Sequence, residues 1–156
     1  MELTTKAAKA QWNRLAARVR HGLNTDWLFA TLPRFIASGI LVLSVVGKIY
    51  DPDPFLILLD TLEFSTFMAY ATLLPLTILE AITAVLLILR PNVGTLLGMW
   101  VFAFFTLVVA YLYAINIIAD CGCFGGLVAS EIGPAKMVQN LSILLMLTAS
   151  LYFQKQ

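Results

Sequence analysis

The sequence predicts an all-α fold, namely an integral membrane four-helix bundle with an N-terminal amphipathic interfacial helix and a short periplasmic amphipathic helix. Of the 156 residues, 60% are hydrophobic and only 12% are charged, and the mean hydropathy is +0.88. Soluble domains are about half apolar and about a quarter charged, so this composition is typical of a membrane protein. Four apolar runs reach or approach the roughly 20 residues that cross the hydrocarbon, and lipid-exposed backbone must be helical to pair its polar groups.

The chain divides into two predicted regions. Residues 1–30 form a basic amphipathic N-terminal segment, and residues 31–156 form the four-helix transmembrane domain. Residues 4–21 alternate apolar side chains with Lys and Arg at helical spacing. This pattern favours a helix that lies on an anionic membrane surface, with a partly disordered tail as the alternative. The basic residues form no patch elsewhere, which excludes a nucleic-acid-binding surface.

The four apolar runs define the predicted spans, which cover residues 33–50, 67–89, 93–119 and 135–153. Pro75 lies inside the second span, where proline is expected to kink a helix. Arg90, Pro91 and Asn92 are predicted to form a tight cytoplasmic turn between the second and third spans, since proline ends one helix and opens the next.

A short segment between the first two spans has a helical pattern of its own, although it is not long enough to cross a bilayer. Pro54 can start a helix near residue 53. Apolar residues fall on one face and acidic residues on the other; the apolar set is Phe55, Leu58, Leu59 and Leu62, and the acidic set is Asp60 and Glu63. We expect this helix to lie across the outer mouth of the bundle, near the cysteines.

The distribution of Lys and Arg predicts the orientation. Five basic residues lie in the N-terminal segment, Arg90 lies between the second and third spans, and Lys155 lies at the C-terminus. These regions belong on the cytoplasmic side of a bacterial inner membrane. Both termini are therefore predicted to be cytoplasmic, and the loop with Cys121 and Cys123 is predicted to face the periplasm, where disulfides persist.

Residues 120–126 contain both cysteines, with only Gly122 between Cys121 and Cys123. Two thiols at this spacing can close a disulfide through a very small ring, and glycine best adopts the backbone angles that the ring requires. We interpret the pair as a dithiol/disulfide that exchanges with a partner thiol. A static disulfide or inert thiols, and half of a zinc site, stay open as alternatives. Asp120 is expected to disfavour a thiolate at Cys121.

Lys48 and Glu80 are ionisable groups inside predicted spans, where charge is costly and is usually paired or functional. Lys48 lies near the outer end of its span and can snorkel. Glu80 lies about 13 residues, or roughly 20 Å, from the outer end of the second span. A direct pair therefore requires vertical stagger of the helices or bending at Pro75. The alternatives are a protonated Glu80 or a hydrogen bond to Ser44, Thr77, Thr83 or Asn116.

Two further residue types bear on cofactors. The third span carries aromatic residues that are either ordinary lipid-facing and packing surface or the lining of a quinone pocket: Trp100, Phe102, Phe104, Phe105, Tyr111 and Tyr113. His21 is the only histidine. A bis-histidine haem inside the bundle is thereby excluded, and a histidine-rich metal site is disfavoured.

The motif Cys121-Gly122-Cys123-Phe124-Gly125 after the third span resembles that of the MauE-type methylamine utilisation membrane proteins, which are relatives of the DoxX family. The resemblance covers roughly residues 30–153. It extends to the following residues: Gly47, Lys48, Asp51, Pro52, Phe55, Pro75 and Glu80. It implies a membrane protein that takes part in the formation or exchange of disulfides in the periplasm. The family member for which the family is named is linked to maturation of the disulfide-rich small subunit of methylamine dehydrogenase, alongside a thioredoxin-like partner. DoxX relatives imply a link to sulfur compounds and the quinone pool.

The predicted function is that of a thiol–disulfide oxidoreductase, or its membrane subunit, which exchanges electrons with a periplasmic thioredoxin-fold protein or disulfide-rich client. The candidate catalytic residues are Cys121, Cys123, Glu80 and Lys48, no metal ligand is assigned, and quinone is a candidate cofactor. Two alternatives from other classes stay open. One is a non-enzymatic membrane maturation factor or scaffold, and the other is a small transporter of a thiophilic metal or sulfur species.

Overall fold

The computed structural model describes residues 25–117, 119–127 and 131–154, with side chains described from residue 31 to residue 152. The predicted amphipathic helix at residues 4–21 lies outside these ranges. The described chain is all-helical, as predicted, and contains no strand. Its elements are α1 (Thr25–Tyr50), α2 (Asp53–Thr61), α3 (Thr66–Leu89), α4 (Pro91–Ala114), a short 3-10 helix (Gly125–Leu127) and α5 (Pro134–Gln154).

Among the described residues, three helical segments are long and apolar enough to cross a membrane, namely Thr31–Tyr50, Thr66–Leu89 and Pro91–Ala114. They match the first three predicted spans, although the third ends at Ala114 and not at residue 119. Asn116 adopts a left-handed conformation with φ 57°, which α-helical residues do not share. Apolar composition continues past this point, so composition alone places the helix end too late. α5 has the length of a span but is not among the three.

Among the four long helices, α1 and α4 both pack mainly against α3 and α5, and they contact each other to a smaller extent. Their shared core is small and apolar, and Leu41, Leu87 and Leu147 are at most 1% exposed within it. The exterior is also apolar, since large side chains such as Trp100 and Leu107 are 70% exposed. Exposed apolar surface of this extent is unfavourable in water and suits lipid. The described helices therefore have the surface of a membrane protein.

α2 lies against the first turns of α3, beyond the end of α1. Its buried face consists of Phe55, Leu58 and Leu59. Phe55 and Leu59 pack against Ala69 and Leu73 of α3, while Leu58 packs with the far end of α4. α1 already ends at Tyr50, so α2 occupies the space that a longer α1 would fill. The first turns of α3 consequently extend past α1, and this stagger decides which side chains of the two helices meet.

Candidate functional site

The two cysteines lie in a turn that packs against α2. The Cα atoms of Cys121 and Cys123 are 5.2 Å apart, within the roughly 4.4–6.8 Å that disulfides span. Gly122 has φ 58°, and a Cβ atom there would collide with the backbone of Phe55. The Gly122 N–H also donates to Oδ1 of Asp120 at 3.0 Å. Only glycine satisfies both the backbone angle and the space at this position, so the turn holds the two thiols close together.

The residues that follow the cysteines fasten the turn to the end of α1. The Gly126 N–H donates to the Asp51 carbonyl at 3.2 Å. A Cβ atom on Gly47 would overlap the Phe124 carbonyl, and one on Gly125 would overlap the Gly47 carbonyl. Glycine at both positions lets the two backbones touch. This contact explains why Gly47 and the glycine after Phe124 accompany the cysteines in the sequence.

Lys48 and Glu80 form a buried ion pair beneath this turn. Nζ of Lys48 lies 2.6 Å from Oε1 of Glu80, and the two side chains are 1% and 0% exposed. Nζ of Lys48 also donates to Oγ of Ser44 at 2.9 Å. The Ser44 hydroxyl faces two acceptors, Oε2 of Glu80 at 3.1 Å and the backbone carbonyl of Cys123. A hydroxyl has one proton, so Ser44 donates to one of these two acceptors at a time. Because it also accepts a hydrogen bond from Lys48, Ser44 links the ion pair to the cysteine turn.

The stagger of α1 and α3 accounts for this pairing. Because the first turns of α3 pack beside α2, Glu80 reaches the level of the last turns of α1, where Lys48 lies. Of the hydrogen-bond partners expected for Glu80, only Ser44 is observed. The hydroxyls of Thr77 and Thr83 donate instead to carbonyls of their own helix, those of Leu73 and Leu79.

Lys136, in the first turn of α5, is a site residue that sequence reasoning missed. It is only 6% exposed, and its Nζ lies 3.8 Å from the centroid of the Phe124 ring. Among the described residues, Nζ of Lys136 has no hydrogen-bond partner. Lys136, Cys123 and Ser44 line one small cavity of about 20 Å³. The signal in the sequence was a lysine inside the predicted fourth span, comparable to Lys48 in the first.

The predicted aromatic set is only partly at the site. Phe104 and Phe105 line a cavity that both cysteines also line. Phe102 is buried and lines the small cavity beside Cys123 and Lys136. The remaining members are exposed: Trp100, Tyr111 and Tyr113. Within the described ranges, no group of three His, Cys, Asp or Glu side chains lies close enough to hold a metal ion. The site therefore combines two adjacent cysteines, a buried ion pair, a second buried cation and an apolar cavity.

The comparisons with known proteins agree with the resemblance in the cysteine motif. The family model described as methylamine utilisation protein MauE matches residues 25–153. No curated protein matches the chain, and no solved structure matches it. The family match covers all five described α-helices except the last residue of α5, and it includes the cysteine turn and the ion pair. The chain therefore belongs to the MauE family of methylamine utilisation membrane proteins.

Proposed function

We propose that this protein is a membrane thiol–disulfide redox protein, which exchanges electrons through Cys121 and Cys123 with a periplasmic thioredoxin-fold protein or disulfide-rich client. The observation that carries the proposal is the pre-arranged turn, in which Cα atoms 5.2 Å apart suit a disulfide without movement of the helices. A disulfide that encloses one residue restrains the unfolded chain very little. Its value therefore lies in chemistry. Membership of the MauE family supports a role in methylamine utilisation, and we propose maturation of a disulfide-rich client as that role.

The exposure of the two cysteines suggests their order of reaction. Cys121 is 3% exposed, whereas Cys123 is only partly buried. The partner sulfur is therefore joined to Cys123 in the mixed disulfide, and Cys121 completes the exchange. A partner dithiol reduces the Cys121–Cys123 disulfide through this adduct, and a partner disulfide is reduced through it in the reverse direction. The Asp120 carboxylate, which is bound to the Gly122 N–H, lies next to Cys121 in the chain. A neighbouring negative charge disfavours a thiolate, so it too favours Cys123 as the attacking group.

Lys136 supplies the cation that a thiolate at Cys123 requires. Both residues line the same small cavity, and the Lys136 ammonium has no hydrogen-bond partner among the described side chains and backbone groups. A buried cation close to a thiol favours the thiolate, which is the nucleophilic form. The Lys48–Glu80 pair has a different role in this proposal. Through Ser44 it holds the Cys123 carbonyl, and it can accept or return a proton when the disulfide opens.

We further propose that α5 is the fourth membrane span and that the four long helices form a transmembrane bundle. The core-facing residues of α5 recur at helical spacing. Four of them are at most 6% exposed, namely Asn140, Ile143, Leu147 and Ser150. Its outward face carries large apolar side chains, for example Val138 at 63% and Leu145 at 62% exposure. The exposed hydroxyls of Ser142 and Thr148 donate to carbonyls of their own helix. Four spans place both termini on one side. The Lys and Arg distribution assigns that side to the cytoplasm and the cysteine turn to the periplasm.

Trapping of the mixed disulfide tests the proposed function. In cells that express Cys121→Ser, Cys123 is expected to retain a partner as a reductant-sensitive adduct, because no resolving thiol is present. Cys123→Ser is the matched control and should retain far less. Intact-mass measurement with alkylation should also give oxidised and reduced forms of the wild type that differ by two hydrogen atoms. Thiols that stay free under every oxidising condition would refute the redox function.

A further inference from the structure

A second, larger cavity lies between α2, α3, α4 and the cysteine turn. Its volume is about 250 Å³, and Cys121, Cys123 and Lys48 all line it. Apart from these three residues and Thr72, every lining side chain is an aliphatic or aromatic hydrocarbon. One ordered water needs roughly 10–15 Å³ and several polar partners. The cavity is therefore far larger than a water site and too apolar for a chain of waters, so it has the size and chemistry to bind an organic ring.

The exposed lining residues mark the mouth of this cavity. Phe104 of α4 is 56% exposed and Phe64, between α2 and α3, is 41% exposed, and Thr72 of α3 is exposed as well. In contrast, Val109 and Leu112 are 2% exposed and lie at the inner wall. Thr72 and Phe104 belong to helices that are long and apolar enough to cross a membrane, so in the proposed transmembrane bundle their exposed surface faces lipid. In that arrangement an occupant can reach the cavity from the bilayer.

We propose that this cavity binds the ring of a membrane-soluble quinone, which accepts the electron pair of the reduced cysteines. The proposal rests on the proposed thiol–disulfide function and names its electron acceptor. The occupant must dissolve in the bilayer, fit an aromatic wall and accept two electrons beside a dithiol, and a quinone meets all three requirements. The step balances without another reactant. Cys121 and Cys123 lose two electrons and two protons and form the S–S bond, and the quinone oxygens gain both to become a quinol.

Lys48 provides the polar contact that such a ring needs. Its Nζ lies 5.7 Å from the centroid of the Phe55 ring and 5.6 Å from that of Phe105, both of which line the cavity. The ammonium donates to Ser44 and Glu80, and it has three protons. The third proton can be donated to a quinone carbonyl. That hydrogen bond would strengthen as the oxygen gains negative charge during reduction.

Filling the cavity tests the proposal, and the structure provides a matched control. Val108 lines this cavity, and Val45 lines a separate cavity of about 200 Å³ between α1 and α3; both side chains are partly buried. Full-length protein in nanodiscs is reduced, mixed with a decyl-substituted benzoquinone and followed by quinol absorbance. Exchange of the dithiol with a soluble disulfide is measured in parallel. For Val108→Trp, the ratio of quinone reduction to disulfide exchange is expected to fall at least tenfold, whereas Val45→Trp should leave both rates unchanged.

A photoreactive azidoquinone gives a second measurement that requires no variant. It should label wild-type peptides that contain Phe104 or Phe105, and unlabelled quinone should compete. A wild-type quinone rate in folded Val108→Trp, or labelling confined to other helices, would overturn the proposal. So would a bound phospholipid that quinone does not displace. If soluble disulfides react with the dithiol but quinone does not, only this inference fails. If neither reacts, the proposed function fails as well.

Discussion

The Lys48–Glu80 pair should be strongly coupled, so a double-mutant cycle is the most direct test of the site. The two charged atoms are 2.6 Å apart and their side chains are at most 1% exposed. Removing one partner of such a pair leaves a buried charge without compensation and typically costs about 3–5 kcal/mol. Replacing both partners by apolar residues of similar volume is often neutral or stabilising. The variants are Lys48→Met, Glu80→Leu and the combination of both.

If the two single costs were additive, the double variant would lose about 6–10 kcal/mol of the free energy of unfolding. We expect instead that the double variant lies within about 2 kcal/mol of the wild type, because neither charge remains buried. The assay is unfolding by sodium dodecyl sulfate in mixed micelles, monitored by circular dichroism. Thr83→Val is the matched control, since Thr83 is also fully buried on α3 but donates only to its own helix. Its cost should be about 1 kcal/mol.

Additive costs in the double variant would refute the coupling, and so would a Glu80→Leu cost as small as that of the control. The functional part of the test uses Glu80→Gln, which preserves hydrogen-bonding shape but cannot exchange a proton. If Glu80 relays a proton for the cysteines, reoxidation of the dithiol slows markedly in this variant while the protein stays folded and inserted. Normal reoxidation in the folded Gln variant would remove Glu80 from the mechanism.

Three further predictions follow from the same structure. A membrane-impermeant maleimide should label reduced Cys123 in cells with a permeable outer membrane but an intact inner membrane; labelling only after lysis of the inner membrane would reverse the topology. Lys136→Met should shift the pH dependence of Cys123 alkylation to higher pH in a Cys121→Ser background, because a thiolate loses its nearby cation, and an unchanged profile would count against that role. Gly122→Ala should slow disulfide formation, since φ 58° and the backbone of Phe55 both oppose a Cβ atom; wild-type kinetics would contradict this account.

The membrane character and the starts of α3, α4 and α5 could be predicted from the sequence because both depend on local composition. The start of α1 was placed too late, at residue 33, whereas the helix begins at Thr25 and contains Pro33. Apolar length predicted α3 and α4 to within two residues at their first residue, and Pro54 with its apolar neighbours predicted the start of α2. The end of α4 was placed too late, because apolar residues continue after Ala114 although the backbone turns at Asn116. Where a helix stops depends on a single backbone conformation, which hydropathy does not encode.

The sequence by itself determined that the two cysteines can close a very small ring, since Cys121, Gly122 and Cys123 are adjacent and their spacing is a covalent property. It also identified Lys48 and Glu80 as ionisable groups inside predicted spans, but it did not decide that they pair. That pairing depends on the height of α3 relative to α1, which the packing of α2 against the first turns of α3 fixes. The same tertiary contacts bring Lys136 beside the cysteine turn and enclose the apolar cavity. Side chains far apart in sequence meet only when several helices pack, so these features belong to the tertiary structure alone.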